Sequence, residues 1–141
     1  MIRRYLTLAF LLTSLLWSSP THAVRSDVPR DLVMSLPKMC WSEYIESVAN
    51  NPDYMLQSPP CGVYTNHFCP GLLKIVKAER LEDLNQKLVQ LRMAKDDMNY
   101  TLHFTEAYPE CTLRPLAQRN LIRIENEIEL IKIRQKNQRS R

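Results

Sequence analysis

The chain has 141 residues, with 19 Lys and Arg against 15 Asp and Glu, for a formal net charge of +4. Its two glycines stand against nine prolines, which excludes Gly-rich phosphate-binding loops and argues against a strand-rich fold full of tight turns. The length suits one domain with a real core.

Residues 1–23 read as a cleaved secretory signal peptide. Arg3 and Arg4 precede an apolar run from Leu6 to Trp17, and Thr21 and Ala23 stand at the −3 and −1 positions of a cleavage site. The run is shorter than the roughly 20 residues that span a bilayer. No later run approaches that length, so the mature chain is expected to be exported, to the periplasm or the extracellular space. Cys40, Cys61, Cys69 and Cys111 all follow the cleavage site. An even number of cysteines in an exported chain reads as two disulfides.

Residues 24–36 read as a flexible polar leader containing Pro29. A short helix is expected over 38–49, where Cys40, Trp41, Tyr44, Ile45 and Val48 form one stripe. Pro37 is tolerated in a first turn, and Asn50-Asn51-Pro52 stops the element. Residues 50–70 have no sustained period and hold Pro52, Pro59, Pro60 and Pro70. This irregular loop is long for a compact domain and needs something to hold it. Cys61 and Cys69 lie inside it.

A long helix is expected over 72–107. Leu81, Leu84, Leu88 and Leu91 step by three and four, and the register runs on through Lys95, Met98 and Leu102. Residues 99–105 also alternate as a strand would, but Pro109 is taken as the stop. A third helix spans 112–137, with Thr112 as cap, Pro115 near its start, and Ala117, Leu121, Ile124, Ile128 and Ile131 as seam. A short connection implies antiparallel packing. A turn near Glu110 then faces Met98 with Leu121, Leu91 with Ile128 and Leu88 with Ile131, and brings Lys95 near Glu125. The expected fold is all-α: a long antiparallel, coiled-coil-like hairpin with a short N-terminal helix and a disulfide-held irregular loop. It forms one helical domain over 37–138, followed by the basic tail end, 139–141.

Catalytic, cofactor and metal sites are all expected to be absent. Cys61, His67 and Cys69 with Cys40 or Cys111 would supply four zinc ligands, but C-x5-H-x-C is not a usual paired-ligand spacing. Catalytic thiol pairs use C-x-x-C, whereas seven residues separate Cys61 from Cys69. His67 and His103 are the only histidines after the signal peptide, and there is no G-x-S-x-G elbow. Glu82/Asp83 and Asp96/Asp97 read as charged helix surface, and His67 as an exposed loop residue. Asn99-Tyr100-Thr101 is a glycosylation sequon that matters only in a eukaryotic source. A continuous second helix would be about 54 Å long. That puts Cys111 out of reach of Cys69 and favours Cys61–Cys69 with Cys40–Cys111. A helix ending near Met98 would instead allow Cys69–Cys111 with Cys40–Cys61, and all three pairings stay open in principle.

Ile122, Leu130 and Ile133 lie opposite the seam of the third helix, so either the chain itself or another protein must cover them. Lys132, Arg134, Lys136, Arg139 and Arg141 form a basic tail that complements the helix dipole and suits contact with an anionic surface. Export and the lack of aromatic residues in the tail argue against nucleic acid. The expected function is a non-catalytic, exported role in protein–protein interaction or assembly, with a protein partner or by self-association. A secreted, cytokine-like receptor ligand is the alternative, although three helices fall one short of its bundle. A thiol–disulfide oxidoreductase is the second alternative.

Overall fold

The computed structural model describes residues 27–55, 61 and 66–140. The expected signal peptide and Arg141 lie outside these residues. Among the described residues all regular structure is helical, and no helix is long and apolar enough to cross a membrane. The elements in chain order are α1 (Arg30–Met34), three 3₁₀ turns (Lys38–Glu43, Glu46–Val48 and Pro52–Tyr54), α2 (Phe68–Glu79), α3 (Leu84–Phe104) and α4 (Leu113–Arg139).

The N-terminal part departs from expectation in two ways. The supposed leader contains α1, which buries Leu32 and Val33, with Leu36 buried just after it. Arg80 donates to the Asp31 carboxylate and holds α1 in place from outside. That guanidinium keeps the Asp31 carboxyl below its ordinary value. The expected helix over 38–49 is instead two 3₁₀ turns, interrupted where Ile45 is extended. Side-chain contacts accompany the break: the Trp41 indole donates to the Leu36 carbonyl at 3.0 Å and stacks on Tyr54 at 5.6 Å. Backbone propensity is a weak prior against such anchors.

The expected helix over 72–107 is two helices. The first begins earlier, at Phe68, with Pro70 in its opening turn, where the missing N–H costs nothing. The chain leaves helix at Arg80–Asp83, and the Asp83 side chain accepts from the Gln86 N–H at 2.7 Å to start α3. After this turn α3 runs back past α2: His67 and Lys74 both reach Asp97. Along α3 and α4 the contacts run in opposite order. Asn85 accepts from Gln135 at 2.9 Å, whereas the Leu102 carbonyl accepts from Arg114 at 2.9 Å. The expected Lys95–Glu125 contact is made, at 2.7 Å.

These three helices enclose the core. Buried residues of α3 are Leu88, Leu91, Ala94, Asp97, Met98 and Thr101, and those of α4 are Leu113, Ala117, Ile124, Ile128 and Ile131. Gly71 sets the approach of α2 to α3. A Cβ there would lie 2.5 Å from Met98 Cε and 2.9 Å from Asp97 Cβ. Met98 can swing away, but Asp97 Cβ is fixed to its helix. Gly71→Val should therefore cost about 3 kcal/mol, the upper end for overpacking. A urea midpoint unchanged from the parent protein would refute this.

The disulfides are Cys40–Cys69 and Cys61–Cys111, with Cα atoms 5.4 and 4.5 Å apart. This is neither of the pairings argued from helix length. The premise of a continuous rod fails at Arg80–Asp83. With α3 doubled back, its C-terminal turns lie beside the start of α2, and Cys111 comes within reach of Cys61.

Candidate functional site

The outer face of α4 and a charged cluster between α2 and α3 carry side chains that the core does not explain.

At 100° per residue, the buried stripe Ala117, Ile124, Ile128 and Ile131 occupies one side of α4. Ile122, Leu130 and Ile133 fall on the other. Their exposures are 51%, 54% and 55%, so about half of each side chain faces solvent. Asn126, also exposed, sits between them on the same stripe. A groove of about 490 Å³ runs beside it, lined by Ile122, Asn126 and Leu130 together with Lys87, Arg119 and Arg134.

The charges of α4 are unevenly committed. Glu125 pairs with Lys95 at 2.7 Å, Glu127 with Lys87 at 2.7 Å and Glu129 with Lys132 at 2.6 Å. Arg123 pairs with Glu79. Every acidic residue of α4 is thus engaged. Among the described residues Arg119, Arg134, Lys136 and Arg139 make no ion pair. Of the five basic tail residues, Lys132 is neutralised locally and three retain their charge for other contacts, while Arg141 lies outside the described residues.

The second cluster corrects two expectations. His67 is half-buried at the N-terminus of α2 rather than exposed in a loop, and Asp97 is buried rather than on the solvent face. The Asp97 side chain, 8% exposed, sits 2.7 Å from His67 Nδ1 and accepts from Lys74 Nζ at 2.5 Å. Tyr100 packs on the His67 ring at 3.9 Å and on Phe104 at 4.3 Å. A carboxylate holding one histidine nitrogen has the geometry of a base and its orienting group. No thiol is available for such a base, since all four cysteines are in disulfides. The same bonds take the cysteines away from any zinc set. The cluster instead cross-ties α2 to α3, on the side of Gly71. In the sequon, Asn99 is exposed, but Thr101 is fully buried and its hydroxyl donates to the Asp97 carbonyl at 2.9 Å.

Sequence periodicity could not find this cluster, because it assigned α3 a single buried seam. A second helix packed on α3 gives it another buried side, and Asp97 lies there. The one advance signal was Asp83 with Gln86 three residues on, the spacing of a helix start. Comparison with protein-family models, with curated proteins and with solved structures finds no match for this chain.

Proposed function

We propose that this chain is an exported, disulfide-stabilised helical protein whose role is non-catalytic: it binds a protein partner, and α4 is the binding element. The observation that carries this reading is the apolar face of Ile122, Leu130 and Ile133, half-exposed on a helix whose opposite side already fills the core. Apolar stripes of this kind are normally covered by something. In this reading α3 and α4 form an antiparallel, coiled-coil-like hairpin, a rigid support for the face. Two disulfides tying the cysteines of a small domain agree with an oxidising compartment and hence with export.

The competing readings have less support. An oxidoreductase needs an accessible, activated sulfur, whereas Cys40, Cys61, Cys69 and Cys111 are each at most 2% exposed. A cytokine-like bundle needs a fourth long helix, and α1 has five residues.

Photo-crosslinking in the producing cell tests the proposal. A photoreactive residue at position 122 or 133 should yield a discrete crosslinked protein species. The same residue at position 106, exposed beyond the end of α3, should not. If all three positions behave alike, the face is not a binding surface.

A further inference from the structure

The charges around the α4 face indicate what kind of protein segment it takes. We infer that it docks an amphipathic helix of another protein whose apolar stripe is flanked by acidic residues. This inference rests on the binding role proposed above and goes further by naming the chemistry of the partner.

The apolar part of the site is a stripe. Ile122, Asn126, Leu130 and Ile133 lie within about 80° of one another around the axis, and Arg119 falls on the same stripe one turn earlier. From position 119 to 133 the stripe runs about 21 Å, the length of two heptads. Side chains at steps of four, four and three present the knobs that a second helix packs between. Asn126 at the centre offers a polar anchor of the kind that sets the register of paired helices.

The rim has one sign of free charge. The three glutamates of α4 are bound to Lys95, Lys87 and Lys132, and Arg123 is bound to Glu79. Arg119 at one end of the stripe and Arg134 at the other line the groove without an ion-pair partner among the described residues. Arg139 stands apart from this rim, beside Glu82 and Asp83 in a separate groove.

This arrangement disfavours the two occupants nearest to hand. In an antiparallel pair of α4 helices crossing at Asn126, Arg119 of one copy falls opposite Ile133 of the other and beside its Arg134. In a parallel pair each arginine meets its own equivalent. Either way like charges come close, which costs affinity and selects against the pairing. Residues 1–26 carry Arg3, Arg4 and Arg25 and no Asp or Glu, so the chain's own N-terminal segment lacks the complementary charge as well. A helix with glutamates or aspartates beside its apolar stripe satisfies both the stripe and the rim.

The test uses the disulfide-intact protein and two synthetic amphipathic peptides, each about three heptads long. Both carry the same Leu and Ile seam. One has Glu at every flanking position and the other has Lys. The Glu peptide is expected to bind at least about tenfold more tightly than the Lys peptide, and its affinity should fall as salt rises. Arg119→Glu combined with Arg134→Glu should reverse the order of the two peptides. Ile122→Ser with Ile133→Ser should abolish binding of both, with the thermal unfolding midpoint unchanged because both residues are exposed. Equal binding of the two peptides, or binding of neither, overturns the inference. Concentration-dependent dimerisation lost in Ile133→Ser, or binding to phosphatidylserine vesicles without a peptide preference, also overturns it. Dimerisation would leave the binding role of the face standing, since the crosslinking result above reads that role separately.

Discussion

Removing the Cys61–Cys111 bond, by changing both residues to alanine, should lower the unfolding free energy by about 4 kcal/mol. The bond closes a loop with a sequence separation of 50, and the entropy withheld from the unfolded chain grows with loop length. The Cys40–Cys69 bond, with a separation of 29, should be worth slightly less, about 3.5 kcal/mol. For a domain whose whole stability is of order 10 kcal/mol, either loss is large. Urea titration of each pair variant checks both values. A loss below about 1 kcal/mol for Cys61/Cys111 would mean that the bond restricts the unfolded chain far less than its loop length implies.

Asp97→Ala should cost about 3 kcal/mol, the low end for breaking a buried ion pair. Its partners set this figure. Lys74 and His67 are 23% and 39% exposed, so both regain some water when the carboxylate goes. Asp97→Asn should lose about half as much, because the amide oxygen still accepts a hydrogen bond. A double change of Asp97→Leu with Lys74→Met removes both charges and should be milder than Asp97→Ala. If that double variant is as unstable as Asp97→Ala, packing rather than charge governs the site. Chemical denaturation of the four proteins at one pH decides between these accounts.

Much of the architecture was legible because its signals are local. The seam of α4 could be read from Ala117, Ile124, Ile128 and Ile131; Thr112 does stand at its N-terminal boundary, but its side chain makes no cap hydrogen bond there. The solvent-facing Ile122, Leu130 and Ile133 followed from the same periodicity. The contact of Lys95 with Glu125 followed from a turn near Glu110. The break at Arg80–Asp83 was hidden because A-E-R-L-E-D contains neither Gly nor Pro and consists largely of good helix formers. The Asp83 cap marks where α3 starts, but the packing of α2 on α3 that the turn permits is a tertiary feature that local propensity does not encode. One missed turn then accounted for the rest: the disulfide partners, the burial of Asp97 and the position of His67 each depend on which helices lie side by side. The 3₁₀ turns after Pro37 are a similar case, since the stacking of Trp41 on Tyr54 is not a local signal either.

Both covalent ties gather at one end of the molecule, where α2 begins and where α3 passes into α4. Arg114 adds a hydrogen bond to the Leu102 carbonyl at that end, whereas the far end of α4 is held by such contacts as the exposed hydrogen bond of Gln135 to Asn85. Ile124, Ile128 and Ile131 keep α4 seated in the core as far as Ile131, and the two turns beyond it bury no residue. Ile133 stands just past that last buried contact, so the face crosses from the supported part of the helix onto its overhang. A partner seated along the face would extend the support outward, and amide exchange in the last turns of α4 should slow the most on binding.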